Sequence, residues 1–262
     1  MKPAVFAYER PSSVTDALNM LAEEPGARPI AGGQSLGPML NLRLATPSLL
    51  VDISRLDELT ETGSDADAIV IGAGVRHAEF EDGKVPSPLP GLFERIALGI
   101  AYRAVRNRGT IGGSLAHADP AADWLCTLTA LGATVLTWRA SGGRSIPLGA
   151  FVPAAFRTVL EPGELVQAVR IPRPSKGARW GYYKACRKPG EFAFAMAAVL
   201  MDEARGMRRA AIGAVGGPPV LLEGERAVPE AVEAALAGSG LDAVERRQQA
   251  VALKRALAQA AA

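Results

Sequence analysis

Apolar and polar residues keep changing period along this chain, and each change marks an element. In VTDALNMLAEE (14–24) the apolar positions recur at three- and four-residue spacing, which predicts a helix with one buried face. Ser12 and Ser13 stand just before it, where a serine oxygen accepts from the free amides of a helix start, and Pro25 and Gly26 close it. ARPIAGG then reads as a short strand entering a glycine turn, SLGPMLNLR as a helical turn, and SLLVDI as an apolar strand. Further on, AIVIGAGV (68–75) is a continuous apolar run bounded by glycine, the pattern of a buried strand. LFERIALGI has helical spacing, NRGTIGGS reads as a loop, and ADWLCTLTALGA as a helix opening just after Pro120. ATVLTW and ELVQAVRIP predict strands. IPRPSKG resembles a linker. After it WGYYKACR, FAMAAVLMDE and MRRAAIGAV predict strands, the last two joined through a turn at Ala204, Arg205 and Gly206. The tail from Val228 onward, rich in Ala, Leu, Glu and Arg, predicts helix. Three segments follow, 1–56, 57–174 and 175–262. Their strands and helices mix without a regular βαβ beat, which predicts an α+β fold over a doubly wound sheet.

The 262 residues are 48% hydrophobic and 21% charged, enough for a sizeable core. With 29 basic and 27 acidic residues, the net charge of +2 gives no nucleic-acid footprint and no polybasic membrane patch. Pro3, Glu9, Arg10 and Pro11 interrupt the start before an apolar signal core can form, and MAAVLM is too short to span a membrane. A cytoplasmic protein without an integral membrane segment is expected. Cys126 and Cys186 are the only cysteines, too few to ligate an iron–sulfur cluster, and they read as buried thiols. His77 and His117 lack partners at metal-ligand spacing.

Two similar glycine loops carry the chemistry: AGGQS, made of Ala31, Gly32, Gly33, Gln34 and Ser35, and TIGGS, made of Thr110, Ile111, Gly112, Gly113 and Ser114. Glycine lets a main chain approach an anion without a Cβ in the way and adopts the φ values that turn successive amides inward. Ser35, Thr110 and Ser114 add hydroxyls. One Gly-Gly pair is an ordinary turn; two on separate segments are better explained by one diphosphate gripped from both sides. A rival is Gly72-Ala73-Gly74 after a strand, the start of a dinucleotide fingerprint. His77 occupies the place of its third glycine and the later acidic residue is missing, so a plain strand-to-helix turn is the better account.

AGGQSLGPMLNLR and RNRGTIGGSLAHADPAAD resemble the two FAD loops of the medium, flavin-binding subunit of molybdenum hydroxylases, the carbon monoxide dehydrogenase and xanthine dehydrogenase family. The likeness extends through FAYERPSSVTDAL, LVDISRLDEL, IGAGVRHAEFE, YYKACRKPGEFAFA and AAIGAVGGPPV, nearly the whole chain. It implies a PCMH-type FAD-binding domain of two α+β lobes, 1–56 and 57–174, then a smaller C-terminal domain of a sheet plus helices, 175–262. It implies that Ala31–Ser35 wrap the diphosphate from one lobe and Thr110–Ser114 face it from the other. Asp123 would contact the flavin side, the Val166 backbone the ring edge, and Lys184 would lie near the isoalloxazine. Each has a plainer reading: Asp123 stabilises a helix start, Val166 is core, Lys184 is a solvated lysine. The same choice holds for His117, for Arg106 and Arg108 as phosphate attractors, and for Phe192 as a cover over the ring.

Departures from the family pattern are Gln34 where many relatives have His, Gly37 in place of a bulkier residue, and a shorter third segment. Without a histidine in AGGQS, noncovalent FAD is expected. The resemblance further implies an oxidoreductase subunit that receives electrons from 2Fe–2S clusters on a small partner and passes them to an external acceptor. A large partner would carry the molybdopterin cofactor, in a dimer of heterotrimers. Two alternatives remain: a self-sufficient FAD-dependent oxidase or dehydrogenase, and a nonredox nucleotide-binding assembly subunit.

Overall fold

A computed structural model describes residues 2–262. Three sheets follow one another along the chain. The first lobe contains β1 (Ala7–Glu9), α1 (Val14–Glu23), β2 (Ala27–Ile30), α2 (Leu36–Asn41) and β3 (Leu49–Asp52). Its three strands are parallel in the order β1-β3-β2. The expected absence of a βαβ beat therefore fails locally, because each connection is long enough to return the chain in the same direction. Ser13 caps α1, its hydroxyl accepting from the Asp16 amide at 3.1 Å. Val14, Ala17, Leu18 and Leu21 turn inward onto Val51, Leu56 and Leu59, and onto Leu165 of the second lobe.

The second lobe holds β4 (Thr62–Ser64), β5 (Ala68–Gly72), α3 (His77–Glu81), α4 (Leu92–Leu98), α5 (Arg103–Arg106), α6 (Ile111–His117), α7 (Asp123–Ala130), β6 (Thr134–Arg139), β7 (Gly142–Pro147), α8 (Leu148–Phe151) and β8 (Leu165–Pro172). Its sheet is antiparallel, in the order β4-β5-β8-β6-β7. β7 escapes sequence reading because GGRSIP has a single strongly apolar side chain, Ile146, and stays largely exposed; its pairing with β6 makes it a strand. The core centres on Trp124, wholly buried and edge-on to Phe93, with Phe80 at 4.6 Å between ring centroids. Gly72 is required by a close pass: a Cβ there would lie 2.3 Å from the Leu59 carbonyl oxygen. That accounts for Gly72-Ala73-Gly74 without a nucleotide.

The third unit is an antiparallel sheet of β9 (Arg179–Ala185), β10 (Ala195–Asp202), β11 (Met207–Gly213) and β12 (Val220–Glu223), in the order β12-β11-β10-β9, followed by α9 (Val232–Ala235) and α10 (Ala243–Ala261). Both faces of β10 are buried, which explains why AMAAVLM is apolar throughout. Tyr182, Met196, Ala198, Leu200 and Ala211 join the second lobe's core. Ala195, Ala197, Val199, Ala210 and Ile212 pack on Ala252, Leu253 and Ala256 of α10. The tail is not one helix: α9 stops at Leu236, and Gly240 with φ +78° lies before α10 starts at its Asp242–Glu245 capping box. The linker-like IPRPSKG is fixed too. β8 runs through Pro172, and the Ser175 amide donates to Asp202 at 2.8 Å. Among the described residues no helix is long and apolar enough to cross a membrane.

Candidate functional site

The two glycine loops meet. A Cβ on Gly32 would fall 1.9 Å from the Arg108 carbonyl oxygen and 2.9 Å from the Gly109 Cα, so the turn after β2 lies backbone to backbone on the residues that lead into Thr110. Arg108 reinforces the junction, its Nε donating to the Gly32 oxygen at 3.3 Å. Gly33 has φ +69°, a left-handed value that a side chain makes costly. Residues 31–37 are all half-buried. Within this turn the amides of residues 32–36 donate to no acceptor among the described residues. Unpartnered amides in a partly buried turn are a donor set for an anion such as a diphosphate. The Gln34 side chain folds back, its Nε2 donating to the Gly32 oxygen at 3.0 Å. Ser35 leaves its hydroxyl uncommitted, since α2 starts without a side-chain cap.

The second loop differs from its sequence reading. TIGGS is the first turn of α6, with Thr110 as its N-cap. The amides of Ile111 and Gly112 donate to the Val75 and Ala73 oxygens at 3.0 and 2.9 Å, and those of Gly113 and Ser114 to Thr110 Oγ1 and O at 3.1 and 3.0 Å. All four are satisfied internally. This loop therefore offers an anion the Ser114 hydroxyl and the bare, exposed surface of Gly113. Gly112 serves packing, since its Cβ would stand 2.4 Å from Ala73 Cβ.

Behind the loops, His77 Nδ1 accepts from Trp124 Nε1 at 3.1 Å, and its ring abuts Gly109. Burial, aided by the nearby Arg106 charge, pushes the imidazole down to about 4, so it is neutral at pH 7. Arg106 is an internal clamp: it grips Glu81 at 2.7 and 2.9 Å and the Ile100 and Ala101 oxygens at 2.8 and 3.0 Å. Of the two arginines considered for phosphate, only Arg108 is exposed. His117 packs its ring 5.3 Å from that of Phe156, and Phe192 stands 69% exposed on the loop after β9.

Asp123 and Lys184, which the family resemblance puts on one side of the flavin, pair directly, a contact the sequence did not suggest. Asp123 is the first residue of α7, and Lys184 sits on β9. Lys184 Nζ lies 3.0 Å from both Asp123 oxygens and from the Gly99 carbonyl at the end of α4. The Tyr182 hydroxyl donates to Asp123 Oδ1 at 2.6 Å. The lysine is not solvated, and the carboxylate is more than a helix start. Burial raises Asp123 above the usual carboxylate value, against the pull of Lys184 and of the Tyr182 hydrogen bond. Val166 is buried in β8, paired with Thr137 beside a register shift in β6. Tyr182 had no distinguishing signal in the sequence, being one of two adjacent tyrosines in a strand; only the strand's facing reveals it.

A family model described as the FAD binding domain in molybdopterin dehydrogenase matches residues 4–174. The chain is 41% identical over 220 residues to the 6-hydroxypseudooxynicotine dehydrogenase complex subunit alpha of Paenarthrobacter nicotinovorans, covering 83% of this chain and 74% of that one. It is 38% identical over 208 residues to the carbon monoxide dehydrogenase medium chain of Afipia carboxidovorans, covering 79% and 72%. In fold it superposes on a chain of the reconstituted CO dehydrogenase from Oligotropha carboxidovorans with a TM-score of 0.89, 31% identity and 99% of both chains covered.

Proposed function

The chain belongs to the FAD-binding domain family of molybdopterin dehydrogenases and is an FAD-dependent oxidoreductase subunit, and from that premise we propose that it relays electrons from 2Fe–2S clusters on a small partner subunit to an external acceptor. A large partner carries the molybdenum cofactor and hydroxylates the substrate. The α+β fold of a PCMH-type domain with a C-terminal sheet unit serves to hold the cofactor. FAD, when bound, supplies the redox chemistry, and the protein supplies position and electrostatics.

In this reading the segments 1–56 and 57–174 are the two FAD lobes and 175–262 is the C-terminal domain. Ala31, Gly32, Gly33, Gln34 and Ser35 wrap the diphosphate through the open amides, and exposed Arg108 adds a cation beside them. Thr110 and Ile111 hold the turn that brings Gly113 and Ser114 to the opposite side, with Gly112 seating it on Ala73. Asp123 and Lys184 form a fixed charge pair on the flavin side, and the Val166 backbone borders the ring. The observation that carries the reading is the AGGQS turn, its amides unpartnered, docked on the approach to Thr110. The complex is cytoplasmic and closes as a dimer of heterotrimers, symmetric closure being the common case.

The test is co-expression with a candidate large and small subunit, size-exclusion chromatography, and anaerobic addition of substrates. The three chains should co-elute, and the flavin should bleach only in the complex. Should the isolated chain bleach its own FAD with a substrate at turnover rates, the self-sufficient oxidase replaces this reading. A colourless complex leaves the nonredox assembly subunit.

A further inference from the structure

Lys184, Asp123 and Tyr182 interlock at the seam between the second lobe and the C-terminal sheet. Their side chains are almost closed to solvent: Lys184 keeps 8% and Asp123 6% of its side-chain exposure, and Tyr182 is 5% exposed overall. Tyr182 and Lys184 are two residues apart on β9, so both point from one face toward α7. An ammonium has three N–H donors, and Lys184 faces three acceptors, the Gly99 oxygen and both Asp123 oxygens. Asp123 Oδ1 receives the Tyr182 hydroxyl as well.

Lys184 reaches both Asp123 oxygens, and the Tyr182 hydroxyl is the second donor, on Oδ1 alone. A buried ion pair gains little over an apolar pair of the same volume, yet leaving one partner charged and alone is costly. A carboxylate in such surroundings is held ionised only by the donors that reach it. Asp123 has two side-chain donors, Lys184 and Tyr182. The remaining titratable groups near it do not substitute: Cys126, one turn along α7, is pushed up to about 12 by burial, and Cys186 lies past the end of β9. From the end of α4 the Gly99 carbonyl accepts from Lys184.

We propose that Tyr182 is a positioning residue of the flavin site: by donating to Asp123 it keeps the Asp123–Lys184 pair ionised and in register, and so fixes the charge that a flavin beside Lys184 experiences. The proposal rests on the reading that Lys184 borders the ring. With the hydroxyl in place the pair is neutral as a unit. Without it Asp123 takes up a proton as pH falls, and the unit becomes a single positive charge. Reduced flavin carries more negative charge than oxidised flavin, so that positive charge raises the flavin potential.

The experiment uses the assembled complex carrying Tyr182→Phe, with flavin midpoint potentials recorded by spectroelectrochemistry from about pH 5 to pH 8. FAD content and melting temperature are measured alongside. The variant should keep its flavin and show a potential above wild type at the acid end that returns to the wild-type line at the alkaline end. A purely structural role would alter stability and leave the pH profile of the potential parallel to wild type. Lys184→Met is the control. If it shifts the potential and Tyr182→Phe does not, the role given to Tyr182 is wrong and the flavin reading stands. If neither moves it, the placement of the ring beside Lys184 fails first. Should Tyr182→Phe not assemble, infrared difference spectra of the wild-type complex decide: Asp123 should remain a carboxylate in both redox states at neutral pH. A protonated carboxyl band that vanishes in Asp123→Asn overturns the proposal.

Discussion

Gly32 and Gly113 sit in matching places in the two loops and carry different burdens. At Gly32 the missing Cβ makes room for the Arg108 backbone, so Gly32→Ala forces the loops apart. Overpacking of this kind costs about 1–3 kcal/mol, and both melting temperature and flavin content should fall. Gly113 is exposed, and a Cβ there meets only Thr110 Oγ1 at 3.0 Å. Gly113→Val should keep the fold and lose most of the FAD, because the added branch rises from the face assigned to the diphosphate. Circular dichroism and flavin absorbance on one sample separate the two cases; normal flavin in Gly113→Val would remove TIGGS from the site. Arg108 adds a third test. Its side chain is exposed and its bond to the Gly32 oxygen is long, so Arg108→Ala should lower the melt only slightly while FAD binding weakens several-fold and loses part of its salt dependence.

Elements hold these residues in place, and two junctions between elements are testable. His77 opens α3 and backs the chain at Gly109, with its imidazole held near 4 against an ordinary 6.5. The folded state therefore binds fewer protons than the unfolded one between those values. The resulting stability is complete above pH 6.5 and is lost as pH falls through 4. A shift of this size corresponds to on the order of 3 kcal/mol. His77→Gln keeps an acceptor for Trp124 and should flatten denaturant-derived stability across that window. Asp52 and Glu164, both held at about 2, lose their contributions only at lower pH, below their ordinary values of 3.8 and 4.5. The second junction is β9 against α10, where a Cβ on Gly181 would lie 1.9 Å from the Ala256 carbonyl oxygen. Gly181→Val should lift α10 from the sheet and lower the melting temperature, with the gain in protease sensitivity confined to the C-terminal unit. Equal sensitivity in all three units would show that they melt as one.

At the scale of the whole molecule, one sheet unit follows another, and the residues proposed for the flavin site lie at their seams. The AGGQS turn of the first lobe touches the second at Arg108, and the second meets the third at Asp123 and Lys184. Under the proposed placement, flavin held by such seams would depend on the lobes staying together and on no covalent bond. Acid precipitation of the complex should thus release FAD to the supernatant; colour left in the pellet would point to a covalent attachment at a residue other than those of AGGQS.

The sequence by itself determined most elements and the identity of the glycine turn. Helical spacing in VTDALNMLAEE with serines ahead of it, and apolar runs such as AIVIGAGV, are local signals, and local physics reads them. It also determined the family, because AGGQS and TIGGS recur within a pattern that spans the chain. Only the tertiary structure decided that TIGGS opens a helix whose amides are already bonded, since their acceptors on Ala73 and Val75 come from another turn. It alone made GGRSIP a strand, split the C-terminal tail, and turned Arg106 inward to Glu81. It alone joined Asp123 to Lys184 and Tyr182 across the interface. Hydrophobic period reports which way a side chain faces, but which charge awaits it there is settled by how separate elements dock.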